Sequence, residues 1–411
     1  MKLLFLPALL TILFAIAAPK AIAQHCAADP QRYPEFAQQR AQAEAEMEAW
    51  LQNNSQALLS RNLITIPVVV HVVYQTAPQN ISQEQIQSQI EVLNADYRAQ
   101  NDNLSIVPQI FQNLIADLEI EFCLAKSDPE GNFTTGITRT LTTKDDIGLS
   151  SDVHYASEGG AGGWDPGRYL NIWVADMGEN VVGRASFPGA GPAAEDGVVI
   201  DPRYFGTTGL AAGSFPYNEG RTVVHEIGHY FNLYHPWGTG TPTCDADDEV
   251  ADTPLTSNNY LGECPQSLQA SCGSLDMYTN FMYYTDDACM AQFTPGQKLR
   301  VLACLNGPRA GLLESMGCQP SDTAPQPLPS LVFSIQPNPS SGQVVIACEG
   351  PEGATCHIQV FDAMGRQLCA LDIPANQPYT WPVPLSFVDG MYWVRGEMGG
   401  KVFTMRLVIS R

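Results

Sequence analysis

The chain has 411 residues, 45% of them hydrophobic, enough for a large packed core and more than one domain. Its 21 basic residues against 43 acidic ones leave a formal charge of −22, a surface that repels phosphate backbones and argues against a nucleic-acid partner.

Residues 1–23 read as a secretory signal peptide: Lys2 supplies a positive start, Leu3 to Ala18 are nearly all apolar, and Ala21-Ile22-Ala23 is a small-x-small site cut before Gln24. The alternative, a membrane anchor, is opposed by the short run and its break at Pro7, so no transmembrane anchor is expected. Export permits disulfides, and eleven cysteines leave at least one without an intrachain partner.

Residues 24–61, with "QQRAQAEAEMEAWLQ", predict a surface helix with little core of its own. At Arg61 the composition changes abruptly to "LITIPVVVHVVY", a β-branched run that predicts a buried strand. That break divides a removable prosegment, residues 24–61, from a mature domain spanning 62–319; an ordinary N-terminal helix is the other reading. Ser82 and Gln85 form a capping-box pattern ahead of Ile86, Ile90, Leu93 and Tyr97, which recur at helical spacing. "LEIEFCLA" and "YLNIWVADM" predict further strands, giving an α+β order with a mixed sheet and an active-site helix. His71, among valines, is expected to be a buried structural histidine, and His154 lies in a polar loop with no assigned role.

"HEIGHYFNLYHPW" holds the densest chemistry. On a helix, His225 and His229 share one face and can hold one zinc ion, while Glu226 is displaced toward the open side as a general base. Zinc lowers the pKa of a water it binds from about 15.7 to about 7. A catalytic zinc needs a third protein ligand and an open fourth position; His235 is the candidate, with Glu249 as the competing one. The spacing matches the metzincin signature His-Glu-x-x-His-x-x-Gly-x-x-His, except that Asn232 stands at the glycine. Asparagine is the non-glycine residue best able to adopt the left-handed turn required there, and Pro236 prevents the helix from continuing.

After Pro320 a Pro-rich linker, residues 320–330, leads to short alternating segments over 331–411 that predict a small all-β sandwich.

With these residues in hand, the chain resembles a metzincin of the pappalysin (cytophagalysin) family over residues 62–318. The match rests on "IPVVVHVVY", "RYLNIWVADM", the zinc helix and "NFMYYTDDACMAQFTPGQ". The resemblance implies a methionine turn at Met282 beneath the zinc and an oxyanion-stabilising Tyr284. It also implies disulfides Cys244–Cys272 and Cys264–Cys289, where the four cysteines by themselves allow three pairings. "CDADDEVADTP" resembles the family's calcium site, with Asp248 and the Thr253 hydroxyl as ligands; the plain reading is a solvated acidic loop. "IQPNPSSG", "VFDAMGRQL", "DGMYWVRGE" and "KVFTMRLVIS" resemble a type IX secretion sorting domain. That implies a Gram-negative source, a partner in the secretion machinery, and a cell-surface or secreted location; a retained binding module is the rival.

The expected function is a secreted zinc endopeptidase acting on proteins or peptides, with Zn2+ and Ca2+ as its ions. The rival is a catalytically inactive adhesin on the same scaffold, which loss of a ligand or of the base would support. Cys26, in the prosegment, is expected to occupy the open zinc position as a cysteine switch, or else to form a disulfide with Cys123.

Overall fold

The computed structural model describes residues 24–54, 63–319, 333–348, 353–363, 365–398 and 401–411. The expected signal peptide, the break at Arg61 and the linker at 320–330 fall outside them. The chain divides into two units, Met1–Thr323 and Ala324–Arg411.

The first unit runs β1 (Gln24–Cys26), α1 (Ala37–Asn53), β2 (Ile64–Tyr74), α2 (Gln83–Asp96), β3 (Ile120–Leu124), β4 (Ile137–Leu141), β5 (Leu170–Ala175), β6 (Val181–Ala185), β7 (Val198–Ile200), α3 (Arg221–Tyr230), β8 (Ala270–Ser271), β9 (Ser274–Leu275) and α4 (Pro295–Asn306). One mixed sheet has the order β1-β6-β7-β5-β2-β3, with β4 pairing the later half of β2. β2 is buried from Ile66 to Val73 because both its neighbours and both its faces are covered, which is why its sequence is a continuous apolar run rather than an alternating one. Among the described residues the one antiparallel pairing in this sheet is β6 with β7, and β1 adds to the outer side of β6 in parallel register, Cys26 opposite Gly183.

Ser82 caps α2 by accepting from the Gln85 amide at 3.1 Å. The Gln85 side chain does not return to the cap. It is buried and donates to the carbonyls of Pro202 and Phe205, because that loop carries backbone groups with no partner in regular structure. Ile86, Ile90, Leu93 and Tyr97 share one core cluster with Val223, Val224 and Ile227 of α3, each fully buried aliphatic contributing about 1.5–3 kcal/mol. The Tyr97 hydroxyl donates to the Val224 carbonyl at 3.2 Å and fixes where α3 lies.

One expectation needs correction. α1 is not merely a surface helix: Arg40, Ala43 and Met47 form a buried stripe, and Met47 is in the core of the unit. The polar faces around that stripe hide its periodicity in the sequence. His154, in a stretch of polar sequence with no assigned role, is buried. It lies edge-on against Trp173, 3.1 Å from an Arg184 Nη2, and burial holds its pKa down to about 2. His71 is buried between Thr138 (2.8 Å) and Asn171 (3.1 Å).

The second unit has β10 (Phe333–Gln336), β11 (Gln343–Cys348), β12 (Thr355–Phe361), β13 (Gln367–Pro374), β14 (Tyr379–Pro382), β15 (Gly390–Met398) and β16 (Lys401–Ile409). Two antiparallel sheets, β10-β11-β14 and β13-β12-β15-β16, share one core, with alternate residues such as Val344, Ile346, Ile358, Val360 and Val394 turned inward. Among the described residues no helix is long and apolar enough to cross a membrane.

Candidate active site

α3 is buried along its whole length and ends where the motif requires a turn. Asn232 has φ +71°, the left-handed conformation. The Leu233 amide bonds to the Gly228 carbonyl at 2.9 Å and the Asn232 amide to the His229 carbonyl at 2.8 Å, the paired bonds of a Schellman termination. The chain therefore doubles back and returns His235 to the helix face.

The three histidines converge. His229 Nε2 lies 3.1 Å from His225 Nε2 and 3.0 Å from His235 Nε2, and the third separation is 3.3 Å. His225 Nδ1 is held by the Phe281 carbonyl at 2.8 Å and His229 Nδ1 by the Leu233 carbonyl at 2.7 Å, so each ring presents its Nε2 lone pair to the centre. Burial lowers the His225 pKa to about 4 and takes His229 well below the usual value, keeping both rings in the neutral, ligating form. The His235 ring stacks on Trp237, with centroids 4.7 Å apart and planes within 6°. Three lone pairs this close repel one another unless a cation lies between them. A tetrahedral zinc about 2.0–2.1 Å from each nitrogen sets them about 3.3–3.4 Å apart, and the triangle fits it.

Glu226 is fully buried beside this triangle, and burial raises its carboxyl pKa to about 8. Its Oε2 is 3.5 Å from Cys26 Sγ, and Oε1 has no hydrogen-bond partner among the described residues. Cys26 itself joins the histidine cluster: its sulfur and one nitrogen of each ring all lie within 4.8 Å of one another. Tyr284 packs over His235 with centroids 4.8 Å apart, and its hydroxyl hydrogen-bonds with the Cys26 thiol. Met282 lies fully buried under the helix, its sulfur 2.4 Å from where a Cβ on Gly228 would sit. Its turn is pinned by reciprocal Asn280–Gln297 amide bonds of 2.8 and 3.1 Å. Glu249 is turned away from the histidines and pairs with Arg300 at 3.0 Å.

Disulfides join Cys244 to Cys272, Cys264 to Cys289 and Cys123 to Cys318. The third removes Cys123 as a partner for Cys26, which is a buried free thiol. Asp248 is buried, and burial raises its carboxyl pKa to about 7. The Thr253 hydroxyl lies 2.6 and 2.7 Å from its two oxygens and 2.7 Å from the Val250 carbonyl.

Sequence reasoning missed two glycines that make room for this arrangement. A Cβ on Gly183 would sit 2.8 Å from Glu226 Oε1, and one on Gly228 would strike Met282. A glycine inside the strand text "VVGRA" signals such a close approach. Trp237 was missed too, because nothing local marks it as the platform for His235.

Three converging histidines, two on one helix and the third on the chain that turns back from it, define a zinc metallopeptidase of the metzincin class. The peptidase M43 model, described as pregnancy-associated plasma protein-A, matches residues 157–306, and a secretion system C-terminal sorting domain matches residues 334–410. An extracellular metalloprotease of Arthroderma benhamiae is 30% identical over 252 residues, covering 60% of this chain and 80% of that protein. One from Arthroderma gypseum is 31% identical over 58% of this chain and 71% of its own. Among solved structures, a mutant of Tannerella forsythia promirolysin superposes with a TM-score of 0.62 at 36% identity, over 71% of this chain and 97% of that one. Mature mirolysin of the same organism with a cleaved peptide gives 0.58 at 40% identity, over 65% and 100%. The chain belongs to the peptidase M43 family. It is an extracellular metallopeptidase that carries a type IX sorting domain.

The turn at position 232 can be tested directly. Asn232→Val places a β-branched residue at positive φ and should lower both zinc content and kcat/KM of the mature enzyme by about tenfold or more, since the left-handed conformation costs an L-residue roughly 1–2 kcal/mol before branching is counted. Asn232→Gly should retain the turn. A valine variant with parental zinc content and turnover would overturn this account.

Proposed function

We propose that His225, His229 and His235 hold the catalytic zinc of an endopeptidase, that Glu226 is its general base, and that residues 24–61 are its prosegment. The observation that carries this is the triangle of Nε2 atoms, with a buried carboxyl beside it whose Oε1 has no hydrogen-bond partner among the described residues. Zinc, when bound, supplies a Lewis acid and lowers the pKa of water. Glu226 takes the proton from the attacking water and passes it to the departing amide nitrogen; its buried position favours the protonated intermediate state. The Tyr284 hydroxyl, over His235, donates to the oxyanion that develops on the scissile carbonyl. Met282 supports the histidines from below, and Asn232 returns His235 to them. Cys26 blocks the open position until the prosegment is cut away. Residues 62–319 form the mature domain, and residues 331–411 the tag that engages the secretion machinery.

One zinc per mature chain, casein hydrolysis lost on chelation and restored by zinc, is the expected result. Hydrolysis that survives complete metal removal would sink the reading.

Calcium is assigned to the Asp248 loop. The single Thr253 proton cannot serve three oxygens at 2.6–2.7 Å, and a hard cation suits such a crowd. Added calcium should raise the melting temperature of the calcium-stripped mature domain, and Asp248→Asn should abolish the rise. An unchanged melting temperature in the parent rules the site out.

A further inference from the structure

The side chain of Asn232 is not needed to make its turn, because the Schellman bonds are all backbone. Its amide faces α1 instead. Arg40 Nη2 donates to Asn232 Oδ1 at 2.6 Å, and Asn232 Nδ2 donates to Glu44 Oε1 at 3.0 Å and reaches Met47 Sδ at 3.1 Å. Two neighbours on the mature domain join the same contact. The Tyr234 hydroxyl accepts from Arg40 at 2.6 Å and donates to Glu44 at 2.9 Å. Arg300 of α4 holds the Glu44 carboxylate at 3.2 and 3.3 Å while its Nε donates to the Asn232 carbonyl at 2.8 Å. Arg40, Glu44 and Met47 lie at i, i+4 and i+7, one stripe of the helix. Asn232 is fully buried and Arg300 only 5% exposed while this stripe is in place.

A glycine at position 232 would form the turn with less strain and would lose the Asn232 side-chain contacts to Arg40, Glu44 and Met47. We propose that Asn232, Tyr234 and Arg300 form a docking surface that reads α1, giving the prosegment a second lock separate from Cys26. The occupant is residues 37–53 of this chain, recognised by an Arg-x-x-x-Glu-x-x-Met stripe. The lock acts on the turn that carries His235, so helix and thiol hold the zinc site from two sides. This rests on residues 24–61 being a removable prosegment.

The test uses the full-length chain, following its conversion to mature enzyme and the appearance of activity on a fluorogenic peptide. Parent, Glu44→Ala and Arg40→Ala all yield the same mature sequence, so any difference belongs to the latent form. Loss of a charge-assisted, part-buried contact should speed conversion on the order of tenfold. Glu44→Gln, which keeps acceptors for Asn232 and Tyr234 but loses the ion pairs, should fall between and serves if the alanine variant does not fold. The Glu44→Ala effect should shrink by about threefold or more in an Asn232→Gly background, each rate being divided by that background's own mature activity. Conversion within about twofold of the parent overturns the lock, and an equal effect in both backgrounds removes Asn232 as its reader. A parent chain that is fully active without cleavage would overturn the prosegment reading instead.

Discussion

Glu226→Ala yields a folded, zinc-loaded mature enzyme that has lost peptide hydrolysis by about 10²–10⁴-fold, the usual worth of a positioned general base. The metal stays because the three imidazoles do not involve Glu226: two take their orientation from the Phe281 and Leu233 carbonyls, and the third from Trp237. Hydrolysis fails because, among the described residues, no other buried carboxylate stands at the triangle; Glu249, the competing ligand in sequence, is engaged by Arg300. The fold should tolerate the change. Removing a buried carboxylate whose burial already disfavours its charged form relieves a desolvation cost rather than adding one. The variant cannot process itself, so its prosegment is removed with an added protease before zinc content and casein turnover are measured. Turnover near the parental rate, or loss of zinc along with activity, would show that Glu226 has another role.

The zinc site was legible because it is local. Two ligands and the base fall within one helical turn and a half, and the third is brought back by a turn whose chemistry is written in Asn232 and Pro236. β2 was legible for a related reason: a strand covered on both faces leaves an unbroken apolar run. What sequence could not supply depends on which surfaces meet. Cys123 finds Cys318 across 195 positions, and no spacing rule links them. The α1 helix looked peripheral because its buried stripe includes an arginine, and Arg40 is buried against partners at positions 232 and 234 that lie far away in sequence. His154 drew no role because its neighbours in sequence are polar, whereas its neighbours in space are Trp173 and Arg184. Gln85 fits a capping pattern and yet spends its amide on the loop after β7.

Cys26→Ala in the full-length chain should turn a latent protein into one that processes itself, with conversion faster than the parent's by about two orders of magnitude. The strand β1 that carries Cys26 lies in register beside β6, and the Ala27 amide donates to the Gly183 carbonyl at 3.0 Å, placing the sulfur next to Glu226 and within 4.8 Å of the three histidines. The Ala28 amide points at the sulfur from 3.3 Å, a donor that favours the thiolate. Burial and the adjacent Glu226 carboxylate both disfavour that thiolate in the bare cluster, whereas a zinc-coordinating thiol is deprotonated outright. On the proposed switch, a bond from the sulfur to zinc would decide its state. No disulfide competes, since Cys123 is joined to Cys318. Thiol labelling of the full-length Glu226→Ala chain, mapped by mass spectrometry, gives an independent reading. Cys26 should resist alkylation while zinc is bound and react once zinc is removed, with Cys304, buried away from the histidines, as the internal control. A Cys26 that labels equally in both states, together with a Cys26→Ala chain that converts no faster than the parent, leaves the sulfur without a part in latency.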